Sequence, residues 1–287
     1  MKTMNDFKLE RISLILLLGC NLKCKHCCVQ APYYEHKYYP SLEFIKHEID
    51  RLFQISSTIH YFSLEGGETF LRKDLAAILE HLSHYVGQIG VEAPVITNGT
   101  ILPDQEVLNA AKLFGDKIRF IIDDYGSLSP KAHEMCALLE REGIRYELRD
   151  YDDNPYCNGW VDLYGEYGPK HDEQGAISMF AKCAWAQKLK GVMEIIGGLI
   201  YFCPASRVYN ELGLAVAGDE VVNFLDEKRS LEEIRLQIGQ ISFKKALSAC
   251  RFCNGIHDDS ARYKPAVQLT GGEAVRIQFS KKYRETL

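Results

Sequence analysis

The chain has 287 residues, 46% of them apolar and 25% charged, a balance that supports one large core or two modest ones and excludes a disordered chain. Its longest early apolar run, residues 14–18, falls far short of the roughly 20 residues of a membrane-spanning helix, and no basic segment with a small-residue cleavage site precedes it. A cytoplasmic protein with no membrane partner is expected, and a formal net charge of −5 offers no basic field to hold nucleic acid.

In chain order, residues 12–18 read as a parallel strand covered on both faces. Pro40-Ser41 opens a helix with Leu42, Ile45, Ile49, Leu52 and Phe53 on one side. Residues 59–64 form a second strand, and Asp74 caps a helix with Leu75, Ile78, Leu79 and Leu82 on its buried stripe. A strand at 91–97, a helix at 104–114 and a strand at 118–122 follow. Ser129-Pro130 then opens a helix that Gly143 closes, before a fifth strand at 144–148. This repeated βα unit predicts an α/β fold with a parallel sheet and ligands at the carboxyl ends of its strands. Residues 151–175 lose all periodicity and read as a connection, dividing the chain into 1–175 and 176–287. Gly197-Gly198, flanked by apolar runs at 192–196 and 199–202, marks a hairpin, and short helices lead to the last cysteines.

Ten cysteines without a secretion signal point to metal rather than disulfides. Cys20, Cys24 and Cys27 directly follow the first strand, so three thiolates meet on one loop at the ligand edge. Three thiolates hold three irons of a 4Fe-4S cluster and leave the fourth open; the competing reading is a closed tetrahedral zinc site completed by His26. Cys183, Cys203, Cys250 and Cys253 supply four more, enough to close either a cluster or a zinc site. Cys28 and Cys136 read as packing residues.

The CxxxCxxC spacing after the first strand of a repeated βα sequence resembles the signature of the radical S-adenosylmethionine (radical SAM) superfamily. The resemblance implies a partial (β/α)6 TIM-like barrel and a SAM-binding 4Fe-4S cluster on Cys20, Cys24 and Cys27. It also implies reductive cleavage of SAM to a 5′-deoxyadenosyl radical, fed by a donor such as flavodoxin or ferredoxin. His26 stands where that family has an aromatic carbocycle on the adenine side. Gly66-Gly67-Glu68 is similar to the GGE motif that contacts the SAM amino group, the glycines admitting a close backbone approach and the carboxylate accepting from an ammonium; a simple turn is the alternative. Thr97-Asn98-Gly99, followed by Thr100, looks like the TNG segment, and Asp123 or Asp124 lies where a polar residue meets the ribose; ligand contact and loop capping both remain open. Arg149 would meet a carboxylate of SAM or substrate, or form a surface pair.

One cysteine before a hairpin, one after it and a late CxxC resemble the Twitch module, the shorter relative of the SPASM extension. This implies a second, auxiliary 4Fe-4S cluster able to accept an electron from a substrate radical. Cys157 is either a catalytic hydrogen-atom donor or an ordinary loop cysteine. Tyr151, Asp152, Asp153, Trp160, Asp162, Tyr164 and Glu166 suit a hydroxylated substrate or a solvated linker. Layout and size resemble radical SAM aminocyclitol dehydrogenases, which implies an oxidoreductase acting on a small polyhydroxylated molecule. The alternatives are a peptide-modifying radical SAM enzyme, forming an epimer or a thioether, and a non-catalytic zinc or iron-sulfur binding module.

Overall fold

The structure is a computed structural model, and the residues described are 6–151, 158–165, 167–189, 191–215 and 218–270. Strands β1 (Lys8–Leu17), β2 (Thr58–Gly66), β3 (Ile89–Thr97), β4 (Ile118–Asp124) and β5 (Tyr146–Asp150) alternate with helices α1 (Leu42–Ile55), α2 (Leu75–Ser83), α3 (Gln105–Lys112) and α4 (Ala132–Glu142). All neighbouring pairs from β1 to β5 are parallel, as the repeated βα pattern predicts. The sixth parallel strand, β6 (Val192–Ile196), adds to the free edge of β1, with Ser13 opposite Glu194. Its hairpin partner β7 (Leu199–Tyr201) and β8 (Val222–Asn223) extend the sheet antiparallel, giving the order β5-β4-β3-β2-β1-β6-β7-β8. The hairpin of the second segment is therefore built into the same sheet as the first.

The helix starts follow local chemistry. Ser41 Oγ accepts from Phe44 N (3.2 Å), and Asp104 Oδ1 accepts from Val107 N (2.9 Å). Gly143 ends α4 at φ 69°, the left-handed conformation that glycine adopts most readily. Asp74 differs from the expected cap. Both of its oxygens go to the buried Arg72 (2.8 and 2.6 Å), whose remaining N–H groups donate to Leu16 O (3.1 Å) and Pro40 O (2.9 Å). A charge-assisted bidentate pair outcompetes a single backbone cap, and here it pins the end of β1 to the entry of α1.

Side-chain alternation gives the sheet two unlike faces. Ile12, Leu14, Phe62, Leu64, Val95, Phe120 and Ile122 pack with the helices into the main core, joined by α8 (Leu231–Ser242). The opposite parity carries charge: Arg119 bonds Glu92 and Glu147 (2.6 Å to the latter), and Arg149 bonds Glu147 (2.8 Å). The end of β1 and the β6–β7 hairpin are apolar on both faces. There Ile15 and Leu18 join a second cluster with Tyr34, Tyr38, Tyr201 and Tyr209, the last on α7 (Pro204–Glu211). No helix among the described residues is long and apolar enough to cross a membrane.

Glu48, fully buried on α1, accepts from Gly198 N in the β6–β7 turn (2.8 Å). Burial pushes its carboxyl up to about 8 from an ordinary 4.5. The native state then keeps a proton that the unfolded chain has lost. This contribution is full below about pH 4.5 and declines as pH rises to about 8, by at most about 1.4 kcal/mol per pH unit. Glu48→Gln keeps the acceptor and removes the ionisation. Its melting temperature should match the wild type at pH 5 and exceed it at pH 8.5; parallel profiles in paired thermal melts would refute the assignment.

Candidate active site at the carboxyl edge of the sheet

The cysteine loop leaves β1 and is held against the end of β2 by backbone bonds, Gly67 N to Leu17 O and Glu68 N to Gly19 O (both 2.9 Å). A Cβ on Gly66, whose φ is +150°, would stand 2.1 Å from Leu17 O, and one on Gly67 would stand 2.0 Å from Gly19 O. The close approach these glycines permit is thus to the cysteine loop itself. Glu68, which the GGE resemblance puts near the SAM amino group, bonds within the protein. It is fully buried, its Oε1 accepts from Phe70 N (2.9 Å) and Thr97 Oγ1 (2.9 Å), and its Oε2 accepts from Asn98 N (2.8 Å). Those bonds tie the end of β2 to the end of β3 and leave one of the four acceptor sites of the carboxylate for another donor.

Through that tie Asn98 reaches the loop. Its Nδ2 donates to Asn21 Oδ1 (3.0 Å) and lies 3.7 Å from Cys20 Sγ, while its Oδ1 accepts from Thr100 N (3.1 Å) and Oγ1 (2.6 Å). Thr100 Oγ1 in turn accepts from Asn21 Nδ2 (2.8 Å), and Leu22 N donates to Cys20 Sγ (3.4 Å). Gly99, at φ +68°, packs against Ala132, and Ser129 Oγ donates to Asn98 O (2.7 Å). The Thr97–Thr100 segment therefore caps loops and holds the cysteine loop at once. Burial pushes the Cys20 thiol up to about 11 and Cys24 to about 12, with Cys27 raised as well and adding to both. Such thiols keep their protons until a metal displaces them, which is the donor chemistry a cluster requires.

Of the two candidate aspartates the structure separates the roles. Asp124 is buried, with Oδ1 accepting from Gly126 N (2.9 Å) and Oδ2 3.3 Å from His133 Nε2. Asp123 has the opposite parity and sits 3.9 Å from Arg149 Nη1, with Tyr125 Oη donating to it at 3.4 Å. Arg149 is thus hydrogen-bonded to Glu147 and ion-paired with Asp123. Burial pushes Asp123 up to about 7, Arg149 opposing it, and pushes Glu65 up to about 7 with help from Glu194. Sequence reasoning missed Glu65; a carboxylate directly before a Gly-Gly at a strand end was the available signal. Tyr125, Tyr151 and Trp160 gather beside Asp123, with ring centroids 5.2 to 6.4 Å apart.

His26 packs against Tyr263 (4.5 Å between centroids, the rings tilted by 36°) and lies 3.7 Å from Asp162 Oδ2. Asp162 Oδ1 accepts from Tyr164 N (3.1 Å) and Gly165 N (2.9 Å), a turn role. Tyr164 is a core residue whose hydroxyl donates to Cys28 O (2.6 Å), so neither it nor Asp162 joins the aromatic group near Asp123. Cys28 and Cys136 pack against the two apolar clusters, as expected. Cys157, Asp152, Asp153 and Glu166 lie outside the described residues.

Cys183, Cys203, Cys250 and Cys253, up to 70 residues apart in sequence, line one cavity of about 120 Å³. Cys183 separates α5 (Glu173–Lys182) from α6 (Ala184–Gln187), and Cys203 caps α7, accepting from Ser206 N (3.3 Å); Gly255 N donates to Cys253 Sγ (3.2 Å). Burial raises Cys250 to about 11 and Cys253 to about 12. One turn into α7 the fully buried Arg207 pairs with Glu194 (3.1 Å) and donates to Val29 O (2.9 Å), linking the helix capped by Cys203 to the chain just after Cys27. Among the described residues no three or more His, Cys, Asp or Glu side chains converge on a single-ion position.

Residues 14–136 match the sequence profile of the Radical SAM superfamily. The chain is 33% identical over 152 residues to GTP 3′,8-cyclase 3 of Mycobacterium bovis, covering 51% of this chain and 36% of that protein. It is 40% identical over 141 residues to Fe-coproporphyrin III synthase of Methanosarcina barkeri, covering 45% and 34%. The chain thus spans about a third of the length of these curated relatives. In solved structures its fold is similar to that of BtrN in complex with AdoMet and 2-DOIA, with a TM-score of 0.52, 16% identity, and 90% of this chain and 98% of that one covered. It is likewise similar to anSMEcpe with bound AdoMet, with a TM-score of 0.52, 14% identity and coverage of 90% and 93%. The radical SAM match thus spans residues 14–136, under half of the chain, with the cysteine loop inside it, and the solved structures share the α/β fold.

Proposed function

We propose that the protein is a radical SAM oxidoreductase that abstracts hydrogen from a carbon of a small polyhydroxylated molecule and carries an auxiliary cluster as electron acceptor. One observation carries this reading: the seven cysteines singled out by spacing divide into a three-thiol loop at the carboxyl edge of the sheet and a four-thiol cavity. A 4Fe-4S cluster with one open iron supplies, together with SAM, the one-electron cleavage that yields a 5′-deoxyadenosyl radical.

The chain's own residues do the rest. Cys20, Cys24 and Cys27 hold three irons and leave a place for SAM. Asn98 and Thr100 keep the loop in register, and the backbone of Gly66 and Gly67 borders the methionyl end. His26 lies on the adenine side, Asp123 serves the ribose or a substrate hydroxyl, and Arg149 orients a carboxylate. Tyr125, Tyr151 and Trp160 cover an apolar face of the substrate, while Glu65 and Asp123, both near neutrality, accept from its hydroxyls. Cys183, Cys203, Cys250 and Cys253 close the auxiliary cluster in a Twitch-like module. Their cavity is several times what one ion or water occupies, which favours a polynuclear cluster over zinc. Cys157 is the candidate hydrogen-atom donor, and a cytoplasmic flavodoxin or ferredoxin is the electron donor.

A small substrate accords with BtrN, whose complex holds 2-DOIA. A peptide substrate is the second reading, since anSMEcpe has been seen with a bound peptide in a structure of TM-score 0.50. The test is metal content and SAM turnover after anaerobic reconstitution. About eight irons per chain and 5′-deoxyadenosine formation on reduction are expected. About four irons with one zinc would remove the electron-acceptor role, and absence of iron would overturn the reading.

A further inference from the structure

The segment after Gly255 carries no cysteine and no motif, yet it returns to the loop that bears Cys24. Residues 266–269 run antiparallel to the loop, with Gln268 bridging opposite Cys24. Lys25 N donates to Val267 O (2.7 Å) and Leu269 N donates to Lys23 O (2.8 Å). The side chain of Gln268 completes the clasp. Its Oε1 accepts from Lys23 N (2.7 Å), and its Nε2 donates to Ala266 O (2.7 Å) and to Cys24 Sγ (3.4 Å).

Two further features mark this clasp as built. Ala266, only 2% exposed, holds φ at +54°, a left-handed conformation that a non-glycine residue keeps only where its surroundings impose it. Upstream, Tyr263 exchanges backbone bonds with Trp160 (2.8 and 3.0 Å) and packs against the His26 ring. The tail is thereby anchored at both ends of the site it crosses.

We propose that Gln268 is a positioning residue for the cysteine loop, its amide N–H donating to Cys24 Sγ so as to raise the reduction potential of the cluster. The inference rests on the proposed cluster at Cys20, Cys24 and Cys27. Reduction places extra negative charge on the ligand sulfurs, so a fixed donor at one of them stabilises the reduced state more than the oxidised one. The acceptor bond from Lys23 N holds the amide in the orientation that points its N–H at sulfur.

The test is a potentiometric titration of the full chain, reconstituted without oxygen, followed by the electron paramagnetic resonance signal of the reduced cluster in the absence of SAM. The auxiliary cysteines are kept in one series and replaced by alanine in another, so that the two signals are assigned separately. Gln268→Leu should make the cluster harder to reduce, lowering the reduced-to-oxidised ratio at a fixed potential about fivefold, the effect of one net hydrogen bond. Gln268→Glu keeps the acceptor for Lys23 N but loses the donor and adds charge, and should lower the ratio further. If the leucine variant fails to hold iron, the glutamate variant carries the comparison. Unchanged midpoints in variants that hold iron at Cys20, Cys24 and Cys27 would overturn the role of Gln268 alone. Absence of a reducible cluster in the wild type would instead overturn the cluster reading beneath it.

Discussion

Replacing Cys20, Cys24 and Cys27 together with alanine is expected to lower the iron of anaerobically reconstituted protein from about eight to about four per chain and to abolish 5′-deoxyadenosine formation. The two effects should appear together because the loop supplies every protein ligand of the proposed SAM-binding cluster. The fold should survive, since the loop is fastened mainly by backbone bonds from Gly67 and Glu68 and by the Asn21, Asn98 and Thr100 network. In the metal-free state the replaced thiols are protonated by burial, so their loss removes no folded-state charge. The four residual irons should stay with Cys183, Cys203, Cys250 and Cys253, whose cavity the substitutions do not touch. Iron, sulfide and zinc analysis beside a chromatographic assay for 5′-deoxyadenosine decides it. A variant that keeps full iron, or that still cleaves SAM, would show that these cysteines are not the ligands.

Gly67→Ala is expected to be nearly as damaging without removing a single ligand. Its new Cβ would stand 2.0 Å from Gly19 O and 3.1 Å from Cys20 Cβ. The first of these is backbone, so no side-chain rotation relieves the clash, and the cysteine loop must move away from the end of β2. Overpacking of this kind costs about 1–3 kcal/mol. Because the bond from Glu68 N to Gly19 O runs through the same contact, the displacement should fall on Cys20 first. The expected result is a modest drop in melting temperature with iron falling toward about four per chain and SAM cleavage lost. Gly87→Ala is the control, since its Cβ would meet nothing within 4 Å. Normal iron content in Gly67→Ala would mean that the loop is free to relax and that the glycine pair serves another purpose.

Both expectations rest on features of unequal legibility. The parallel βα repeat, the helix start at Pro40-Ser41, the C-terminal Gly143 and the hairpin at Gly197-Gly198 are visible in sequence because each depends on a few adjacent residues and a short periodicity. The CxxxCxxC loop is visible for the same reason. Asp74 shows the limit of such local reading: it has the composition of a cap, but a buried arginine two residues away claims both its oxygens. Glu68 does too, because the partners of its carboxylate lie on chain that arrives 29 and 30 residues later.

Sequence alone determined the α/β class, the cysteine loop and the identity of four more thiols, all properties of residue type and spacing. Tertiary structure alone decided the rest. It added β6 to the free edge of β1, set Asp123 beside Arg149 and Asp124 beside His133, gathered the four distant cysteines around one cavity, and returned Gln268 to Cys24 across 244 residues. The physical reason is common to all four. Strand pairing order, side-chain parity and long-range donor–acceptor pairs are set by which surfaces can be buried together once the core closes, and no local pattern encodes that choice.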